Sequence, residues 1–250
     1  MKDQGPNLLP RHEDEVGIIE GHLNAILKNG DATVQILEAG CGRRWDLRNL
    51  SFPFRLTGID LDKEALRLRK EVARDLDEAI HGDLTKADFS PEQFDVVYSS
   101  YVLEHLTNAE QALDKFMLWL RKGGALVIRV PDGESAYGTI TRLSPHWFHV
   151  FYYRWILGNK NAGKPGYPPY ETTLEPVVSI AGLERFAKDR GLEVVARYRT
   201  AVETRNNLRG RLVRLAIKLV EWASFGRLSA SHCTLTYIFR KPLSNSPTAA

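Results

Sequence analysis

Short apolar runs alternate along this chain with segments whose apolar residues recur every three or four positions. Val34–Glu38, residues 55–60, Phe94–Ser99 and Ala125–Val130 are runs of strand length. Helices are predicted between them, over residues 12–29, from about Lys63 to Leu76 and from about Asn108 to Arg121. Val16, Ile19, Leu23 and Ile26–Leu27 set the apolar face of the first helix. Gly123–Gly124 break the chain before the fourth run. Near-continuous apolar runs such as VVY and ALVIRV suit strands buried on both faces. Strand–helix alternation at this rhythm predicts right-handed βαβ units and a parallel sheet.

The rhythm stops after Pro131. Residues 133–178 are crowded with aromatic, glycine and proline residues, including HWFHVFYYRWILG and GKPGYPPY. That is too long and too aromatic for a connector, and reads as an inserted lid over the open edge of the sheet. A helix over 179–190, a strand Leu192–Arg199, a basic amphipathic helix of about 206–223 and a strand Thr234–Phe239 follow. The two last strands are expected to pair antiparallel at one edge. Residues 1–10 and 242–250 read as frayed tails. The expected organisation is one domain over 1–242, with a basic helical region at about 205–227 and a disordered tail at 243–250.

With 250 residues, 43% hydrophobic and 26% charged, the chain is of ordinary globular composition. A net charge of +3 gives no general electrostatic case for nucleic acid. Two cysteines, Cys41 and Cys233, do not make a disulfide framework. The start of the chain lacks a signal-peptide core, and no apolar run reaches the ~18–20 residues that span a bilayer. Cytoplasmic residence is the default expectation, and it leaves attachment to a membrane face open.

Candidate chemistry begins where the first buried strand ends in Gly40-Cys41-Gly42. Glycines at a strand-to-helix turn permit positive φ and close approach of a ligand, although an ordinary tight turn would look the same. Asp60 ends the second strand about 20 residues on, where an acid can accept both hydroxyls of a ribose. Its bland alternative is the N-cap of the next helix. Asp83, in His81-Gly82-Asp83-Leu84, can take an adenine amino group or simply serve a turn. FDVVYSSYVLEHL at 94–106 and LRKGGALVIRVPD at 120–132 complete one wall of a cleft.

These segments, in this order, resemble the class I S-adenosylmethionine-dependent methyltransferases of small-molecule type over roughly residues 34–132. The resemblance implies a Rossmann-like, doubly wound, mostly parallel seven-stranded α/β sheet and S-adenosyl-L-methionine as cofactor. It places Glu38, Gly40, Cys41 and Gly42 around the methionine part, Asp60 on the ribose, and Leu61, Asp83 and Leu84 at the adenine. Ser99 or Ser100 would form the loop below. One departure stands out. Where the family often has a small residue, this chain reads Arg43-Arg44-Trp45, so a long side chain must turn away or meet the cofactor carboxylate. A nicotinamide dehydrogenase is disfavoured, because the third glycine of its fingerprint would fall on Trp45.

The acceptor side is less determined. His105, His146 and His149 are candidate bases, since histidine titrates near neutrality. Tyr101, Trp147 and Tyr152 are candidate substrate contacts, against the alternative that the aromatic stretch merely packs the lid. Glu104 beside His105 makes a poor metal pair, and no metal is expected. Leu208, Leu212, Leu215, Leu219 and Trp222 share one face of the basic helix. That face either packs on the domain or lies on an anionic membrane. The expected activity is methyl transfer to a small or lipid-linked acceptor, most simply on oxygen, with peripheral membrane contact and no nucleic-acid partner. The alternative is a methyltransferase-like module that has lost its chemistry and binds a membrane or a partner.

Overall fold

The computed structural model describes residues 6–9, 11–27, 32–156, 158–164, 167, 169–204 and 206–243. Most of both expected tails, residues 157, 165, 166 and 168 of the expected lid, and Arg205 of the expected basic region lie outside the described residues.

Among the described residues, eight strands form one sheet. They are β1 (Asn7–Leu9), β2 (Val34–Ala39), β3 (Phe54–Asp60), β4 (Glu78–His81), β5 (Phe94–Ser100), β6 (Leu120–Pro131), β7 (Glu193–Ala201) and β8 (His232–Arg240). Their spatial order is β1-β7-β8-β6-β5-β2-β3-β4. All neighbouring pairs are parallel except β8, which runs antiparallel to both β6 and β7. The sheet therefore has one strand more than the expected seven. Asn7–Leu9, placed in a frayed tail by its composition, pairs with Tyr198–Thr200 of β7. The antiparallel pair of β7 and β8 forms as expected, but β8 is interior and β1 takes the edge.

The helices are α1 (His12–Ile26), α2 (Lys63–Arg67), α3 (Ala109–Trp119), α4 (Ala136–Leu143), α5 (His146–Phe151), α6 (Ile180–Asp189) and α7 (Leu208–Ala223). α2 continues as a wider π turn over Leu68–Ala73. Alternation along the strands explains the two-sided core. Leu37, Val97, Leu126 and Ile128 face Leu113, Phe116 and Trp119 of α3 and Leu183 and Phe186 of α6. Ile36, Val96, Tyr98 and Val127 face Ile19 and Leu23 of α1 and Leu66 of α2. α5 contributes no buried residue, and α7 buries only Gly210 and Ile217. Helices cover both faces of the sheet, and strand order reverses between β2 and β5. The carboxyl ends of those two strands thus frame the crevice where open sheets bind ligands.

Candidate active site

The turn leaving β2 is built around two glycines in the left-handed region, Gly40 at φ 76 and Gly42 at φ 53. A Cβ at Gly40 would stand 2.2 Å from Val102 Cγ2, so packing as well as φ requires glycine there. At Gly42 nothing lies within 4 Å of such an atom, which makes it the open side of the loop. The amides of Gly40 and Cys41 both donate to the Ile59 carbonyl, at 2.9 and 3.1 Å. Asp60 closes β3, and its carboxylate accepts from Gly42 N and Asp62 N, each at 2.8 Å. The cap of α2 is Asp62, which accepts from the Glu64 and Ala65 amides. The N-cap alternative for Asp60 is thereby corrected. Its carboxylate joins the glycine loop to β3, and each oxygen retains capacity for a second donor.

Arg69, in the π turn after α2, braces this loop from below. Fully buried, it donates to Glu38 at 2.8 Å, to the Cys41 carbonyl at 2.6 Å and to Asp75 at 2.5 Å. Burial pushes the Glu38 carboxyl up to about 8, while the Arg69 charge pulls it down. Burial also raises the Cys41 thiol. Glu38 and Cys41 thus shape the turn from within. Sequence gave no sign of Arg69, because in LRLRKE it is one of several charges with helical spacing.

Leu61 follows Asp60 with 69% of its surface exposed, an apolar side chain with no cover at the rim of the crevice. Asp83 accepts from the Thr85 hydroxyl at 2.7 Å and the Thr85 amide at 2.9 Å, which hold its carboxyl below the usual range. Leu84 is buried in the core with Ile59 and Leu103. Ser99 lies at the carboxyl end of β5, and its buried hydroxyl has no partner among the described residues.

Across β5 the surroundings change. Tyr101 takes φ 57, a strained choice for a side chain of this size. Its ring lies 5.3 Å below the Arg129 guanidinium, and its hydroxyl meets Thr234 Oγ1 at 3.0 Å. Glu104, in the short turn Leu103–His105, is buried, and its Oε2 has no hydrogen-bond partner among the described residues. Burial pushes that carboxyl up to about 8. His105 Nδ1 bonds the Glu171 carbonyl at 2.6 Å, which leaves Nε2, 3.9 Å from Glu104 Oε1, without the ring proton. Burial lowers the His105 pKa. Tyr137 of α4 and Tyr152 are hydrogen-bonded, and both lie within electrostatic reach of Cys233. Tyr153 lies within that reach of Glu104.

The other lid candidates stand apart from that group. His149 Nε2 bonds the carbonyls of Thr141 and Ser144, at 2.9 and 3.1 Å, and so ties α5 to α4. His146 is exposed and stacked on His149. Trp147 is exposed and stands edge-on to Phe148.

The arginine pair after the glycine loop is fully engaged. Arg43 pairs with Asp62 at 2.9 Å and stacks on Tyr167, and Arg44 pairs with Asp46. Trp45 is buried edge-on to Tyr98. Arg43 and Arg44 are thus held by acids beside the loop, while Trp45 belongs to the core. Behind Tyr101, the fully buried Arg129 binds Glu15 through Nε and Nη2 and reaches Tyr98, Ser100 and Asp46. His232 Nε2 and Asp132 Oδ2 form a buried pair 2.6 Å apart. The acid ending β6 in VPD could have flagged Asp132; its partner 100 residues on could not be read. Among the described residues no group of three or more His, Cys, Asp or Glu could hold a metal ion.

Residues 37–128 match the family model of the methyltransferase domain. No curated protein matches the chain. A S-adenosylmethionine-dependent methyltransferase from Archaeoglobus fulgidus superposes with a TM-score of 0.52 at 14% identity, over 90% of this chain and 94% of that one. A Pyrococcus horikoshii protein does so at 0.54 and 15%, over 92% and 91%. The [4+2]-cyclase SpnF does so at 0.52 and 14%, over 90% and 82%. At such identities the superpositions speak for the fold alone. Together with the family match, they define a class I methyltransferase domain. Residues 37–128 are a methyltransferase domain of the S-adenosylmethionine-dependent kind, with S-adenosylmethionine as the cofactor.

Proposed function

We propose that this methyltransferase acts on a hydroxyl of a small or lipid-linked acceptor, seated between the carboxyl end of β5 and a lid over residues 133–178 of a single domain. The observation that carries the reading is the contrast between two groups of residues at the carboxyl ends of β2, β3 and β5. On one side, Asp60 holds an open glycine loop. On the other, the unpartnered Glu104 oxygen is buried within electrostatic reach of Tyr153.

The residues present fit S-adenosylmethionine. Gly42 offers backbone without steric cover, Asp60 offers a carboxylate for vicinal hydroxyls, Leu61 offers an exposed apolar face, and Ser99 has an unused hydroxyl. In this reading Gly40, Cys41 and Gly42 surround the methionine part, with Glu38 beneath them. Asp83 and the backbone at Leu84 border the adenine. When bound, the cofactor supplies an electrophilic methyl group. The chain aligns the acceptor, excludes water and removes a proton, and alignment accounts for most of the acceleration.

Tyr101 and Tyr152 border the acceptor, and Trp147 belongs to the lid's outer side. Glu104 takes the acceptor proton, with His105 beside it. His146 and His149 hold the lid. A base within reach of the reacting hydroxyl contributes about 10²–10⁴-fold.

The test is calorimetric titration of S-adenosylhomocysteine into the wild-type protein and Asp60→Ala. Micromolar binding, weakened about 100-fold or more in the variant, is expected from losing charge-assisted hydrogen bonds. A folded wild-type protein that binds none would overturn the reading and favour a module without chemistry.

A further inference from the structure

The apolar stripe of α7 faces outward. Leu212, Leu215 and Leu219 are each more than half exposed, Leu208 and Trp222 more so, and Phe225 just beyond the helix is 94% exposed. The alternative in which this stripe packs on the domain is thereby corrected. The inward side is filled instead by Gly210, Val213, Ile217 and Val220. At 3.6 residues per turn, Leu208, Leu212, Leu215, Leu219 and Trp222 form one narrow stripe. Arg211 and Lys218 flank it on one side, and Arg209 on the other. The only acid of α7, Glu221, turns inward and accepts from the Ala230 amide at 2.8 Å.

The surface continues onto the lid. Arg209 donates to the Trp155 carbonyl at 2.7 Å, and α4 packs on α7. Leu143, Trp147, Phe148, Phe151 and Trp155 are exposed there as well. Between Glu134 and Glu171 the sequence holds no acid, but it holds Arg142, Arg154, Lys160 and Lys164.

We propose that α7 and the outer face of α5 form a docking surface for an anionic lipid bilayer. Apolar side chains enter the acyl boundary, tryptophans sit at its polar edge, and lysines and arginines meet the headgroups. Charge selects this occupant. A second copy of the chain would set cationic flanks against cationic flanks, whereas an anionic bilayer complements both flanks at once. No described helix is long and apolar enough to cross a membrane, so the contact is with its surface. Docking does not depend on which acceptor is methylated.

Co-sedimentation tests the proposal. It compares vesicles of phosphatidylcholine alone with vesicles containing phosphatidylglycerol, at low and high salt. The proteins are wild type, Leu215→Ser/Trp222→Ser and Arg211→Glu/Lys218→Glu. Wild type is expected to bind the anionic vesicles at least 10-fold more tightly and to be released by salt. Near such a surface each Lys or Arg is worth about fivefold, so the charge-reversed protein should lose about 25-fold or more. The serine variant should lose binding to the anionic vesicles even at low salt. All the altered side chains are exposed, so melting temperature and S-adenosylhomocysteine binding should stay at wild-type values. Absence of wild-type binding to anionic vesicles would overturn the proposal. Undiminished binding by the serine variant, or a wild-type dimer in sedimentation velocity that those substitutions dissolve, would overturn it too.

Discussion

At the glycine loop, the amides and carboxylates are bound by the chain itself, with only the nearby Trp45 Nε1 lacking a partner among the described residues, whereas across β5 the Glu104 carboxyl is left open. Gly42 N and Asp62 N share the Asp60 carboxylate, and Arg69 joins Glu38, Cys41 and Asp75. Some residues away, Glu104 Oε2 is buried with no partner among the described residues. Beyond them the lid and α7 expose apolar side chains. A buried polar atom without a partner costs free energy, and so does exposed apolar surface. The cofactor side is preorganised by the fold, and the acceptor side is completed by what it meets.

Arg69→Ala should give the largest effect. It leaves Glu38 buried without its cation, and breaking such a pair costs about 3–5 kcal/mol. Urea unfolding measures the loss; a change below about 1 kcal/mol would break the comparison, because the loop would then not depend on its brace.

Glu104→Gln probes the other side through pH. The folded-state pKa of Glu104 is raised by burial to about 8, against 4.5 for the ordinary side chain. The protonated form therefore favours the fold. That contribution is fully present below about 4.5 and is lost as pH rises through about 8. The wild type should lose on the order of 2–4 kcal/mol over this range relative to the variant. Turnover should run the opposite way, rising with pH through about 8 as the carboxylate forms, and Glu104→Gln should lack that rise. A parallel stability profile for the two proteins would remove Glu104 from the account.

Asp62→Ala should have the smallest effect. It removes the α2 cap and the partner of Arg43, at a cost of about 1 kcal/mol. Thermal unfolding reads the cost. If S-adenosylhomocysteine binding fell as far as in Asp60→Ala, the separation of capping from ligand contact at these two acids would fail.

Much of this was legible in the residues. VVY and ALVIRV became β5 and β6 because a strand between two helical layers must be apolar on both faces. Gly40, Gly42 and Asp60 came together because strand ends in a parallel sheet line up. Asn7–Leu9 was not legible, since three residues carry no periodicity and their strand exists only beside β7. The Arg69 brace was hidden because a π turn rotates that residue under the loop. The buried carboxyl of Glu104 was not legible either, because its turn is closed by the Thr173 and Leu174 amides about 70 residues away.

The sequence alone determined the alternation of strands and helices, the glycine turn, and the acids at the strand ends. These depend on spacings of a few residues and on backbone sterics. Tertiary structure alone decided which acid caps α2, which carboxyl loses its partners, and which side of α7 is covered. α7 is apolar on two opposite sides, so periodicity names both equally. Only the surface of the rest of the chain, which covers Ile217 and leaves Leu215 and Trp222 outside, could choose between them.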